Sequence, residues 1–188
     1  GFVCATEDKH EKTVMDLLGD DIKRKDIFPA GRLDKDTTGM VLITNDGTLS
    51  HRILSPKKHI PKYYIVKLAE SFQEDYVRQF AEGIIIDGGE KCLPSKVKRF
   101  PDCEKTAFIE LHEGKYHQIK RMFSAVENSV EKLCRIQMGG LLMPEKLAIG
   151  EYMEIMHKDV ENLLKSQCFE EVFRNITENF SSYWINMQ

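Results

Sequence analysis

The residues able to do chemistry fall in three short stretches. The first, Phe28-Pro-Ala-Gly-Arg-Leu-Asp-Lys-Asp-Thr-Thr-Gly-Met40, sets charged side chains between two apolar runs. Glycines at 31 and 39 let the backbone turn tightly or approach a ligand there. Asp34 follows Leu33 in a segment expected to be partly buried. A carboxylate so placed must find a cation or several amide donors, because an unpaired buried charge is expensive; as a bare pattern the stretch also reads as an Asx turn or helix cap. The second stretch, His112-Glu-Gly-Lys-Tyr-His-Gln-Ile-Lys-Arg-Met-Phe123, is a strand-to-helix junction rich in donors. Its Lys120 or Arg121 could supply the counter-charge for Asp34, and a helix start offers amide donors to a phosphate. The third is Lys62-Tyr63-Tyr64, where a tyrosine on a strand is ordinarily a core or rim aromatic. Around it, Arg52, Lys57, Lys58, Lys62 and Lys67 occur without an acidic residue, interleaved with His51, His59, Tyr63 and Tyr64. That combination supplies cations for a phosphate backbone and flat rings for bases, or else a strand edge kept soluble by lysines.

The elements that must hold these stretches follow from periodicity. Gly1 to Thr6 reads as a short strand, and Val14, Leu17 and Leu18 are spaced for a helix over 10–18 that ends at Gly19. Gly39 to Thr44 reads as a buried strand, Asn45-Asp-Gly as a turn, and Leu49 to Leu54 as a helical turn stopped before Pro56. Tyr63 to Leu68 predicts a strand and Gln73 to Gly83 a helix burying Tyr76, Val77, Phe80 and Ala81. Further strands are expected at 84–87, 95–100, 107–111 and 133–138. Between the last two, Ile119, Met122, Phe123 and Val126 place one apolar face on a helix over 117–126. Strands outnumber helices without regular βαβ alternation, which predicts an α+β domain with a largely antiparallel sheet. From His157 the pattern is helical and acidic, seven acids against three bases over 151–188, which suggests a helical appendage docked on the strand-rich body.

Composition narrows the class. At 188 residues, 41% of them hydrophobic, the chain has length for one ordinary domain with a small appendage and can bury a core. No run approaches 18 apolar residues and the first 26 are charged throughout, so neither a transmembrane span nor a signal peptide is expected, and a cytoplasmic location follows. The five cysteines are odd in number, widely spaced and without a CxxC pair, which argues against a disulfide scaffold and a zinc site. Net charge is only −3, so any polyanion partner has to be read from the distribution of charge.

Taken in order, Gly31-Arg-Leu-Asp-Lys-Asp-Thr-Thr-Gly39 with Asn45-Asp-Gly47, Lys62-Tyr-Tyr-Ile-Val66, and Glu113-Gly-Lys-Tyr-His-Gln-Ile-Lys-Arg-Met-Phe123 resemble the motifs of the RNA pseudouridine synthases, in the RsuA-type branch that modifies ribosomal RNA. Gly1 to Thr6, Gly139-Gly140, Leu147 and Gly150-Glu-Tyr152 extend the resemblance over residues 1 to about 155. It implies a mixed, mainly antiparallel sheet flanked by helices with a central active-site cleft and a catalytic domain over 1–156, and it leaves the acidic helical extension over 157–188 outside the matched motifs. It implies as well the isomerisation of one uridine: the N-glycosidic bond breaks, the uracil turns, and C5 rejoins the ribose.

Carried over residue by residue, the resemblance makes Asp34 the catalytic aspartate, Tyr64 the active-site tyrosine and Lys120 the basic partner that keeps Asp34 charged. Arg32 would help to hold the everted nucleotide. Arg52, Lys57, Lys58, Lys62, Lys115, His117 and Arg121 are the expected phosphate contacts. No metal or organic cofactor is expected, and the partner is ribosomal RNA or an assembling ribosomal subunit, approached by a monomer. Wording such as Tyr116-His-Gln-Ile-Lys-Arg-Met-Phe123 leans toward the small-subunit enzymes over the large-subunit ones. Members of the branch usually begin with a small RNA-binding module of the S4 kind, which this sequence lacks before its first motif. Glu127 stands where a glycine is usual and Met153 where an arginine is. The rival readings are an RNA-binding or ribosome-assembly factor with a dead site, and a hydrolytic glycosidase, for which Asp36 is the sole candidate second carboxylate.

Overall fold

In the computed structural model, residues 1–23, 26–55 and 60–179 are described. After a 3-10 turn at Val14–Leu17, capped by the Thr13 side chain, come β1 (Phe28–Pro29), β2 (Thr37–Gly39) and β3 (Ile43–Thr44), then α1 (Gly47–Leu54) with Asp46 as its N-cap. Next are β4 (Lys62–Leu68), α2 (Asp75–Glu82), the small β5 (Ile85–Ile86) and β6 (Glu90–Lys91) pair, and the long hairpin β7 (Lys96–Phe100) and β8 (Cys103–Leu111). The chain continues through α3 (Gln118–Ala125), β9 (Val130–Met138), β10 (Leu141–Leu142), α4 (His157–Leu163) and α5 (Phe169–Asn179).

The main sheet runs β10-β9-β4-β8-β7 with antiparallel neighbours, and β2 adds to β9 in parallel. The α+β class and the mixed, mainly antiparallel sheet are therefore as expected. β4 lies at its centre and is buried along its length, so its alternate side chains enter two cores. Tyr64, Val66 and Leu68 pack with Ile109, Leu111 and Leu133 under Tyr76 and Phe80 of α2 and Ile119, Met122 and Phe123 of α3. On the opposite face Tyr63 and Ile65 meet Phe108, Cys134 and Ile136 beneath Phe169, Val172, Phe173 and Ile176 of α5.

Several sequence expectations change in the structure. The opening run forms a single bridge, Val3 to Thr13, rather than a strand, and the helix expected over 10–18 is one 3-10 turn. The strand expected over 39–44 is broken. Gly39 ends β2 at φ 104°, and a Cβ there would lie 2.2 Å from the Arg135 carbonyl oxygen, so β2 can lie against β9 only because this residue is glycine. The helical tail does more than dock at an edge. Its α5 is the cover of one sheet face, fixed at its start by Gln137 Nε2 donating to Gln167 Oε1 (3.0 Å) and the Tyr63 hydroxyl donating to the Gln167 carbonyl (3.3 Å). Residues 180–188 of the expected extension lie outside the described residues. Glu127 takes φ 59° just past α3, with its N–H donating to the Ser124 carbonyl and that of Asn128 to the Phe123 carbonyl. That is the left-handed helix stop which glycine adopts at least cost, and it explains why glycine is usual there.

Candidate active site

Asp34 lies on the loop between β1 and β2. Leu33 anchors that loop in the core that holds Tyr64, and Asp34's own carbonyl accepts from the Thr37 N–H at 2.9 Å. With Leu33 tied inward, the Asp34 side chain stays at the rim, 27% exposed. Across from it α3 begins. Lys120 Nζ stands 3.7 Å from one carboxylate oxygen of Asp34, and His117 Nε2 stands 3.7 Å from the other. His117 caps the start of α3 and Lys120 lies in its first turn, so the beginning of one helix presents both to Asp34. Neither separation is a hydrogen bond. Two groups able to carry positive charge frame the carboxylate without occupying its lone pairs, which leaves it open to attack an electrophilic carbon or accept a proton.

Lys120 gives its hydrogen bond to Asp36, at 2.5 Å, and this holds the Asp36 carboxyl below the usual carboxylate range. The sequence reading paired Lys120 with Asp34 alone; the structure shares it, because Asp36 reaches over from the solvent side, 73% exposed.

Other expected contacts are placed differently from one another. Lys115 and Arg121, expected as phosphate contacts, carry acidic partners from the β5–β6 hairpin: Lys115 Nζ is 2.7 Å from Glu90, and Arg121 Nε donates to Asp87 at 2.5 Å. Arg52 is exposed on α1 and borders a cleft with Asp46, His157 and Glu161 rather than the Asp34 loop. Arg32 is exposed beside Asp34. Lys57 and Lys58 lie outside the described residues, as does His59. Tyr63 is fully buried and Tyr64 is 8% exposed, so neither offers an open ring to solvent as the reading of the basic stretch required. Central-strand geometry is the reason, since both faces of β4 are covered. Lys62 is equally enclosed. It is 8% exposed, its ammonium donates to the Ile60 carbonyl at 3.3 Å, and burial followed by the nearby Arg135 charge lowers its pKa to about 8.

Arg135 was not foreseen. It lies in β9 opposite Tyr64 and beside Gly39, 2% exposed. Its Nε donates to the Met40 carbonyl at 2.8 Å and its Nη1 to the Arg32 carbonyl at 3.4 Å, so one guanidinium bridges both ends of the loop that carries Asp34. A charged residue inside the apolar run Leu133-Cys-Arg-Ile136 was the available signal. Among the described residues, no three His, Cys, Asp or Glu side chains are grouped to hold a metal ion, and no helix is long and apolar enough to cross a membrane.

The fold thus sets a partly exposed carboxylate, framed by Lys120 and His117, at the rim of a mixed sheet. The family model described as RNA pseudouridylate synthase matches residues 1–125, and this chain belongs to that family. It is 43% identical over 169 residues to an uncharacterized RNA pseudouridine synthase, YtzG, of Bacillus subtilis, covering 89% of this chain and 71% of that protein. It is also 43% identical over 166 residues to ribosomal small subunit pseudouridine synthase A of Vibrio vulnificus (88% and 71% covered), and 39% identical over 164 residues to that of Escherichia coli (87% and 70%). A solved pseudouridylate synthase structure superposes with a TM-score of 0.80 at 39% identity, covering 87% of this chain and 69% of that one.

The Arg135 bridge carries a prediction. Arg135→Met, which keeps the bulk but loses both carbonyl contacts, is expected to lower kcat for pseudouridine formation at least about tenfold, the equivalent of one lost buried charged hydrogen bond. RNA affinity should change far less, and Arg135→Lys should rescue poorly, since an ammonium cannot span both carbonyls. Steady-state kinetics beside RNA-binding titrations check it; a kcat equal to that of the unaltered protein would refute it.

Proposed function

We propose that this chain converts one uridine of small-subunit ribosomal RNA to pseudouridine, with Asp34 as the catalytic group. The observation that carries the reading is the Asp34 carboxylate, partly exposed and framed at 3.7 Å by Lys120 and His117 with neither contact a hydrogen bond. The substrate class rests on likeness to relatives named as small-subunit enzymes.

In the reaction the C1′–N1 bond breaks and the electron pair leaves with the uracil. Asp34 either forms an ester to C1′ or takes the C2′ proton to give a glycal. The uracil turns, and C5 bonds to C1′ as the ester breaks and frees the Asp34 carboxylate or as Asp34 returns the proton to C2′ of the glycal; the C5 proton then departs and N1 regains a proton. Nothing is oxidised and no group leaves, so the protein side chains suffice. Lys120, shared with Asp36, sets its positive charge 3.7 Å from the Asp34 carboxylate, and Tyr64 backs the loop that carries Asp34 from the core in which Leu33 is anchored. Arg32, at the loop's exposed edge, steadies the everted nucleotide. Everting it costs a few kcal/mol, which cation–phosphate contacts offset. With Asp36 bonded to Lys120 at 2.5 Å, a second carboxylate free for hydrolysis is missing from this loop, which disfavours the glycosidase reading.

The direct test incubates the protein with small-subunit ribosomal RNA transcribed with 5-tritiated uridine. Tritium release with a single mapped pseudouridine is the expected result, and release of free uracil would overturn the reading. In the same assay Lys120→Ala should cut kcat by about a hundredfold or more, whereas Arg121→Ala, whose charge is spent on Asp87, should stay within a few-fold. Equal losses would contradict the role given to Lys120.

A further inference from the structure

Tyr63 and Tyr64, expected from sequence to meet RNA bases, are buried, yet one tyrosine near Asp34 is not. Tyr116, between β8 and α3, is 77% exposed. One face of it lies on the His117 imidazole, with ring centroids 3.8 Å apart and planes 18° from parallel. His117 in turn stands 3.7 Å from Asp34. The backbone under the pair is fixed. His117 holds φ 49°, ψ 33°, a left-handed conformation uncommon for a residue with a ring. Buried Gln118 accepts from the Lys115 N–H at 2.8 Å through its side-chain oxygen, and Arg121 Nη1 donates to the Tyr116 carbonyl at 3.1 Å. The outcome is a rigidly mounted aromatic face, open to solvent, two rings away from the carboxylate.

We propose that Tyr116 is a base-stacking subsite for an unpaired nucleotide flanking the everted uridine, forming a three-layer stack of base, Tyr116 and His117. This rests on the reading of the chain as an enzyme acting on an everted uridine. Removing a nucleotide from a strand leaves its neighbour with one bare face, and an exposed protein ring is the chemistry that replaces the lost stacking. The spacing fits a neighbour rather than the target. Asp34 meets the imidazole directly at Nε2, whereas a base on the outer face of Tyr116 would have the Tyr116 ring between itself and that imidazole, which is the place of a neighbour in the strand. Because every base has a flat face, this subsite contributes affinity with little sequence preference of its own.

The test measures Kd for a small-subunit ribosomal RNA transcript in excess competitor RNA, over a salt series, together with KM and kcat. Tyr116→Ala and Tyr116→Leu are expected to weaken Kd by about ten- to a hundredfold. The loss should fall on Kd and KM more heavily than on kcat, and Tyr116→Phe should recover most of it. The slope of log Kd against log salt should stay as in the unaltered protein, since no phosphate contact is lost. An unchanged Kd in Tyr116→Ala, a Phe variant as weak as Ala, or a slope reduced by about one ion would overturn the proposal. Exposure of Tyr116 makes misfolding an unsuitable explanation for any loss, and far-UV dichroism of each variant checks this. If the unaltered protein bound the transcript but made no pseudouridine, the proposed function would fall, while the Kd series would still decide the stacking subsite.

Discussion

Asp34→Asn is expected to abolish pseudouridine formation, by at least about a thousandfold in kcat, while leaving RNA affinity within about threefold. The substitution preserves shape and removes the negative charge, so the amide can neither form the ester at C1′ nor take the C2′ proton, and the two routes fail together. Losses of this size are typical where the removed group is the one that reacts. Binding should survive because Asp34 contributes no attraction to a polyanion; loss of a negative charge beside phosphate favours binding slightly. The measurement pairs tritium release with filter binding of the same transcript. Retained turnover would remove Asp34 from the chemistry, and a parallel collapse of binding would make it a structural residue.

The second prediction concerns stability. Lys62→Met is expected to stabilise the fold at pH 7 by up to about 3 kcal/mol while impairing the enzyme. The folded-state pKa of Lys62 is lowered to about 8 from an ordinary 10.5, with burial the larger cause and Arg135 the second. Between pH 8 and 10.5 the unfolded chain then binds more protons than the folded one, so stability rises with pH across that window. Below pH 8 the cost of holding a buried ammonium is present in full, and it is this cost that methionine removes. Urea denaturation of both proteins from pH 7 to 10.5 checks the sign. The gap should be widest at pH 7 and close as the lysine of the unaltered protein deprotonates. A variant less stable at pH 7, with a pH profile parallel to its parent, would refute it. Lys62 stands in the field of the Arg135 guanidinium that bonds the Asp34 loop, so its loss is expected to act on turnover through that loop, and kcat measured beside stability checks this.

Much of the site was legible in sequence because its parts are short and locally ordered. Asp34 sits between glycines, and His117 and Lys120 lie three positions apart at one helix start, so the motifs could be read although Asp34 and His117 lie 83 positions apart in sequence. The strands were legible from short runs of apolar and β-branched residues, apart from the opening run, which forms a single bridge, and the stretch 39–44, where Gly39 ends the strand. What sequence could not disclose was partnership. Lys115 and Arg121 look like free cations until the β5–β6 hairpin brings Glu90 and Asp87 against them, and Lys120 looks dedicated to Asp34 until Asp36 takes its hydrogen bond. The apolar run around Arg135 signalled its burial, but its partners, the Met40 and Arg32 carbonyls, lie 95 and 103 positions away in sequence. Tyr64 is enclosed for a topological reason: a strand becomes central only when later segments pair on both sides of it.

The irregular pairing of β4 with β9 between Tyr63 and Tyr64 sets an extra residue of β9 against that point. Such an offset works like a vernier, phasing the two strands so that Tyr64 lies opposite Arg135 while Tyr63 is directed toward α5. Slippage by a single position would send each ring to the wrong side, ruining the oily interior in the same stroke that dismantles the reaction centre. Folding therefore proofreads the catalyst: a chain that has settled its middle strand has, by that act, aligned the parts needed for turnover.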